Sequence, residues 1–149
     1  RWPGRLPRGR TVDEPVSIKD LFPTLLDAAG VPAAPDQPVD GLSLLPLLRG
    51  EIAELPRPFL AWHFPGYSQS VVRERGWRAV PAGAIRQGTW KLIEFFEDDR
   101  LELYDLATDL PEAGNLASAQ PERAAELRAV LAAWRAEKNA VMPERRSVR

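Results

Sequence analysis

The sequence predicts an α+β fold, a small antiparallel β-sheet (a meander) packed against a long C-terminal helix. Three observations predict it. Residues 84–106 carry short apolar-rich runs separated by turn signals. Residues 121–138 repeat apolar side chains at helical spacing. The 15 prolines among 149 residues divide the rest of the chain into loops and short pieces.

The meander comes first. Ala84–Arg86 and Thr89–Phe96 flank Gln87-Gly88, a short turn. Trp90, Leu92 and Phe96 lie among Lys91, Ile93 and Phe95, so both faces of the sheet are partly apolar. Glu97-Asp98-Asp99-Arg100 makes the next turn, and Leu101–Tyr104 returns as a strand. Upstream, the apolar run 59–64 (FLAWHF) predicts a buried strand. Residues 65–83 contain Gly66, Gly76, Pro81 and Gly83 and read as a long excursion.

Pro121 stands at the first position of the helix, where its missing N–H is harmless. Ala124, Leu127, Val130, Leu131 and Trp134 form its apolar stripe, which is core. Glu122 and Glu126 lie towards its N-terminus, and Arg135 and Lys138 towards its C-terminus, in the order that suits the helix dipole. Residues 143–149 read as a disordered tail.

The first 50 residues are different. Residues 1–15 are basic, rich in Gly and Pro, and show no helix or strand period. Ser17, with Asp20 three residues later, predicts a capped turn at 17–21. A helix follows from Pro23 to Ala29, closed by Gly30 and Pro32, with Leu21, Leu25, Leu26 and Ala29 as its apolar face. Asp40-Gly41 marks a turn. The leucines of 42–48 are interrupted by Pro46 and stopped by Gly50, too short a run for a substantial helix. The chain therefore divides near residue 50, with 1–50 as one segment and 56–142 as a second domain.

Composition sets bounds. The hydrophobic fraction is 44% and the charged fraction 28%, a globular balance. Formal net charge is -1, which gives no broad attraction to nucleic acid or anionic membrane. No apolar run approaches the ~20 residues of a membrane span. With no cysteine and one histidine, disulfides, thiolate metal sites and multi-histidine sites are excluded. The chain begins at Arg1 without a methionine or signal peptide, and reads as a cut through a longer protein.

Five ordered strings carry a family resemblance. They are RWPGRLPRG, VSIKDLFPTLLDAAG, VDGLSLLPLLRG, AIRQGTWKLIEF and LELYDLATDLPEAGNLA. Together they resemble the C-terminal part of sulfatases, within the alkaline-phosphatase-like superfamily, from Arg1 to about Met142. One departure is Leu110, which stands before Pro111 where the family usually has Asp-Pro. The resemblance implies that residues 1–50 are the edge segment of an α/β sulfatase large domain, and that 56–142 are the C-terminal subdomain. It also implies a sulfuric ester hydrolase acting on aryl or sugar sulfates, with this chain shaping one side of the pocket. The missing N-terminal sulfatase domain and a sulfated small molecule or glycan are the implied partners. The family is often periplasmic or secreted.

Sulfate ester hydrolysis needs a nucleophile, a metal for the anion and an acid for the leaving alcohol. The resemblance implies formylglycine, made in a C/S-x-P-x-R motif, and calcium held by Asp and Asn. No serine here opens that motif. Asp98-Asp99, the only adjacent Asp pair, reads as a solvated turn. The chain is therefore expected to be non-catalytic by itself, with no catalytic or metal-binding residue of its own. A non-catalytic interaction module and a piece of a phosphate or phosphonate ester hydrolase are the alternatives.

His63 is the candidate substrate-binding residue, since the family runs this segment near the pocket rim; a structural histidine at a strand end is the other reading. Lys91 could bind sulfate as a point cation or simply occupy an exposed strand position. Arg73, Arg75 and Arg78 around Trp77 could hold an acidic glycan or form a solvated surface. The Leu42–Leu48 run is expected to be the interface with the large domain, and an exposed apolar patch without it.

Overall fold

Ser17 and Asp20 begin the first helical segment, as their spacing predicts. The computed structural model describes residues 2–69 and 77–144, apart from the side chains of Gln69, Trp77 and Arg78. The chain divides into two units, Arg1–Arg57 and Pro58–Arg149. In the first, a 3-10 turn over Ile18–Asp20 runs into helix α1, Leu21–Ala29. The helix starts two residues before the predicted Pro23. A proline is tolerated there because N–H groups of the first turn need no helical partner. Gly30 ends the helix at φ 68°, a left-handed conformation that glycine adopts without strain.

Asp20 is wholly buried and organises this unit. Its carboxylate accepts the N–H of Ser17 at 2.7 Å and of Leu42 at 3.0 Å. It also accepts both guanidinium arms of Arg57, Nη1 at 3.0 Å and Nη2 at 2.7 Å. Thr24 adds a bridge: its hydroxyl donates to the Asp20 carbonyl at 2.5 Å and accepts the Leu44 N–H at 2.9 Å. Burial alone would raise the Asp20 pKa. The Arg57 hydrogen bonds, the Ser17 and Leu42 amides and the Arg57 charge outweigh it and hold the carboxyl below its ordinary range. Gly41 allows this close approach, because a Cβ there would overlap the Lys19 carbonyl and stand 2.9 Å from Asp20 Cα.

Helix α2 is the short run Leu45–Arg49, closed by Gly50 at φ 83°. Here the structure corrects an expectation. The leucines of 42–48 are not an exposed patch: Leu44, Leu45 and Leu47 are buried. Leu44 and Leu47 form a core with Leu55, packed by Val12, Leu42, Leu48 and Ile52. Residues 51–57 belong to this unit because Leu55 joins that core and its N–H bonds Glu14 at 3.2 Å. The face that does lie open is on α1, where Leu21, Leu25 and Ala29 are exposed and Leu26 is half-buried.

The second unit is the predicted α+β arrangement. Four antiparallel strands lie in the order β1-β4-β5-β6, namely Leu60–Phe64, Ala82–Gln87, Trp90–Phe95 and Leu101–Asp105. β2 (Ser68–Gln69) and β3 (Trp77–Ala79) pair as a separate ribbon inside the stretch read as an excursion. The β4–β5 turn is Gly88-Thr89, one residue later than expected, with Gly88 at φ 59°. That positive φ at the first loop position is what a two-residue hairpin demands. β1 was expected to be buried; it is instead an edge strand with Leu60 buried and Trp62 and Phe64 exposed.

Helix α3, Pro121–Glu137, begins at the predicted proline. Ala124, Leu127 and Leu131 close over Ile85, Leu92 and Leu103, all at 2% exposure or less. Each fully buried Leu or Ile contributes roughly 1.5–3 kcal/mol. Directly opposed residues of neighbouring strands share a face. Ala61, Ile85, Leu92 and Leu103 therefore form one row towards α3, and His63, Gly83, Glu94 and Leu101 form the next. Of the expected tail over 143–149, residues 145–149 lie outside the described residues.

Candidate functional site

His63 sits in the second of those rows, on the α3 side of the edge strand β1. Its ring packs 5.4 Å from the Phe96 ring, tilted by 43°. Nε2 lies 2.8 Å from the Val141 carbonyl oxygen. A carbonyl only accepts, so Nε2 carries the proton and donates it. Nδ1 is buried and has no hydrogen-bond partner among the described residues.

The same row holds a buried ion pair that the sequence reading missed. Glu94 is 5% exposed and Arg135 9%. Arg135 Nη2 stands 2.7 Å from Glu94 Oε2, and Arg128 Nε donates to Glu94 Oε1 at 2.7 Å. Arg135 also covers the Phe96 ring, with Cζ 5.3 Å from its centroid. Gly83 leaves the room for this: a Cβ there would stand 3.0 Å from Arg135 Nη1 and 3.2 Å from Phe96 Cζ. His63 and the Glu94–Arg135 pair thus meet the same two neighbours, Gly83 and Phe96. A signal was present in the sequence. Glu94 follows Leu92 by two on a strand, and Arg135 follows Leu131 by four on a helix, so each interrupts a buried stripe.

Lys91 does not stand free on its strand. Its ammonium lies 2.6 and 2.7 Å from the two carboxylate oxygens of Glu112. Glu112 is held there at φ 58° by a tight loop, in which Asp109 accepts the N–H groups of Ala113 and Gly114. Those two amides hold the Asp109 carboxyl below its ordinary range. Beside Lys91, Tyr104 is pushed up to about 12 by burial and by its hydrogen bond to Glu102. Arg73 and Arg75, and the side chains of Trp77 and Arg78, lie outside the described residues.

The described residues do not fit a calcium site. Asp98 and Asp99 are exposed on the β5–β6 turn, 3.6 Å from Arg100 and 3.8 Å from Arg128. No three His, Asp or Glu side chains among the described residues converge as metal ligands do.

Comparison with known proteins matches residues 1–137 to the family described as N-sulphoglucosamine sulphohydrolase, C-terminal. A sulfatase of Formosa agariphila is 32% identical, over 94% of this chain and 27% of its own length. Two solved structures share the fold. One is in complex with its substrate D-glucosamine-2-N,6-O-disulfate; it is 28% identical with a TM-score of 0.63, over 85% of this chain and 25% of that one. The other, a phosphonate monoester hydrolase from Silicibacter pomeroyi, is 27% identical with a TM-score of 0.64, over 92% and 28%. The chain spans about a quarter or less of the length of the curated relatives it matches, 14% of one and 27% of another.

Proposed function

The chain belongs to the sulfatase family, as a sulfatase C-terminal domain, and on that premise we propose that it is the non-catalytic C-terminal part of a sulfuric ester hydrolase. In this reading it closes one side of the substrate pocket of a longer enzyme. That enzyme's formylglycine, and the residues that would hold its calcium, lie outside the described ones. One observation carries the non-catalytic assignment. Both buried carboxylates of the described residues, Asp20 and Glu94, are committed to arginines of their own unit, so neither is available to a metal or a leaving group. The family description and the glucosamine disulfate bound by a relative support a sulfated sugar as one substrate class, beside an aryl sulfate.

The likeness to a phosphonate monoester hydrolase supports a second reading, in which the parent cleaves phosphonate esters. The two are separated by assaying the longer protein, with the region encoded before Arg1, on glucosamine sulfates, an aryl sulfate and an aryl phosphonate. Faster turnover of the sulfates is expected; preference for the phosphonate would favour the second reading.

His63 enters this proposal as a contact at the pocket rim. Its support is the buried Nδ1, which has no hydrogen-bond partner among the described residues. In the longer protein His63→Ala is expected to change kcat/KM on a sulfated sugar and leave the melting temperature in place. A lowered melting temperature with unchanged kcat/KM would reduce His63 to a tie between β1 and Val141.

A further inference from the structure

The string RWPGRLPRG takes no part in the chemistry above, and its loop forms a cleft of its own. Residues 2–12 border a cavity of about 410 Å³ inside the first unit, with Leu48 of α2 on its wall. Small-ligand pockets run from roughly 300 to 1,000 Å³. The loop has a defined shape. The Trp2 carbonyl accepts the N–H groups of Arg5 at 3.1 Å and Leu6 at 3.0 Å. Gly4 and Gly9 turn the chain at φ 77° and 68°, where a side chain would be strained. Val12 and Leu48 pack on Leu44, Leu47 and Leu55, which anchors the cleft to a core.

Its lining divides by chemistry. Trp2, Leu6, Val12 and Leu48 are apolar and half-buried. Arg8 and Arg10 are exposed at the cleft, and neither forms an ion pair among the described residues. Arg10 lies across Gly50, where a Cβ would overlap its Nη1. Arg5 stands over the Trp2 ring, with Cζ 5.8 Å from the centroid. From Trp2 to Thr11 the chain has three arginines and no acid. Of the two acids that follow, Glu14 accepts the Leu55 N–H at 3.2 Å.

An apolar wall beside two unpaired guanidinium groups suits a ring with an apolar face and an anionic substituent. A sugar ring presents C–H bonds that pack on an aromatic face. A sulfate or carboxylate on it accepts paired N–H bonds from the planar guanidinium fork. The net charge of -1 gives no basic track beyond the cleft for a nucleic-acid backbone. We propose that this cleft binds an anionic sugar residue of a glycan, with Trp2 and Leu6 against the ring and Arg8 and Arg10 on its sulfate or carboxylate.

The test is calorimetric titration of the 149-residue chain with four ligands. They are a sulfated glucosamine disaccharide, an unsulfated uronic-acid disaccharide, a neutral disaccharide and inorganic sulfate. An anionic disaccharide is expected to bind best, and the tighter of the two names the anion. The neutral sugar and inorganic sulfate each lack half of the recognised chemistry and are expected to bind at least about tenfold more weakly. Arg8→Gln with Arg10→Gln should weaken the anionic sugar by about tenfold or more and reduce its salt dependence, with the melting temperature unchanged. Trp2→Leu should weaken it and leave the salt dependence in place. Lys19→Gln, at an exposed cation of the same unit, should change nothing. Four results would each overturn the proposal: no binding of either anionic sugar, inorganic sulfate bound as tightly, an equal loss from Lys19→Gln, or tighter binding of a single-stranded oligonucleotide. In the longer protein, Arg8→Gln with Arg10→Gln should cause the same loss, and an unchanged affinity there would overturn the site as well. Binding is read without turnover, so a parent enzyme inactive on sulfates overturns the functional reading and leaves this result standing.

Discussion

Asp20→Ala will destabilise the first unit by roughly 3–5 kcal/mol, the range for removing one partner of a buried ion pair. The reason is what the substitution leaves behind. Arg57, with its side chain 12% exposed, loses both of its carboxylate contacts. The N–H groups of Ser17 and Leu42 lose their acceptor. Hydrogen exchange over residues 17–57 reads the loss directly. A loss below about 1 kcal/mol would contradict the account, because that is the scale of an exposed pair. Removing both charges together, as Asp20→Leu with Arg57→Leu, is expected to restore part of the stability, since no lone charge then remains. The pH dependence has a definite sign. The folded pKa of Asp20 lies below its unfolded value. Its contribution is therefore complete above the ordinary aspartate range, and is lost as pH falls below about 4 and through the folded pKa. Asp20→Asn should flatten that acid limb.

Glu94→Ala is expected to act on the second unit with similar size, roughly 3–5 kcal/mol. Glu94 stands between Arg135 and Arg128, and of these two α3 residues Arg135 is the buried one. Without the carboxylate, the Arg135 guanidinium remains beside Gly83 and Phe96 with no counter-charge among the described residues. Glu112→Ala is the comparison, because the Lys91–Glu112 pair is half exposed, with side chains at 24% and 30%. It should change stability by no more than about 1 kcal/mol. Thermal melting of the two variants side by side tests the ordering. Equal melting temperatures would show that the buried pair contributes no more than the half-exposed one.

The sheet and the long helix were legible because each carries its own period. Leu92 and Glu94 alternate inward on β5, while Leu127 and Leu131 return at helical spacing on α3. What was not legible is which apolar stripe faces what. The leucines of 42–48 and the apolar face of α1 look alike in the sequence, and only the fold distinguishes them. Asp20 and Thr24 draw the polar side of α1 inward, which leaves its leucines outside and the 42–48 leucines in the core. The β2–β3 ribbon escaped because strands of two and three residues have no period to read. At the candidate site, His63 stood out as the lone histidine. Its partners Phe96 and Val141 lie far along the chain, and local pattern says nothing about such pairs. Glu94 and Arg135 were visible as charges, and their burial came only with the packing of α3.

The central claim is that this chain is a sulfatase part that does not itself hold the reacting groups. The most direct test measures hydrolysis of a chromogenic aryl sulfate and a glucosamine sulfate by the 149-residue chain alone and by the protein with the region before Arg1. The account predicts no turnover above a buffer blank for the chain and clear turnover for the longer protein. Hydrolysis by the 149-residue chain, or none by the longer protein on either sulfate, would contradict it.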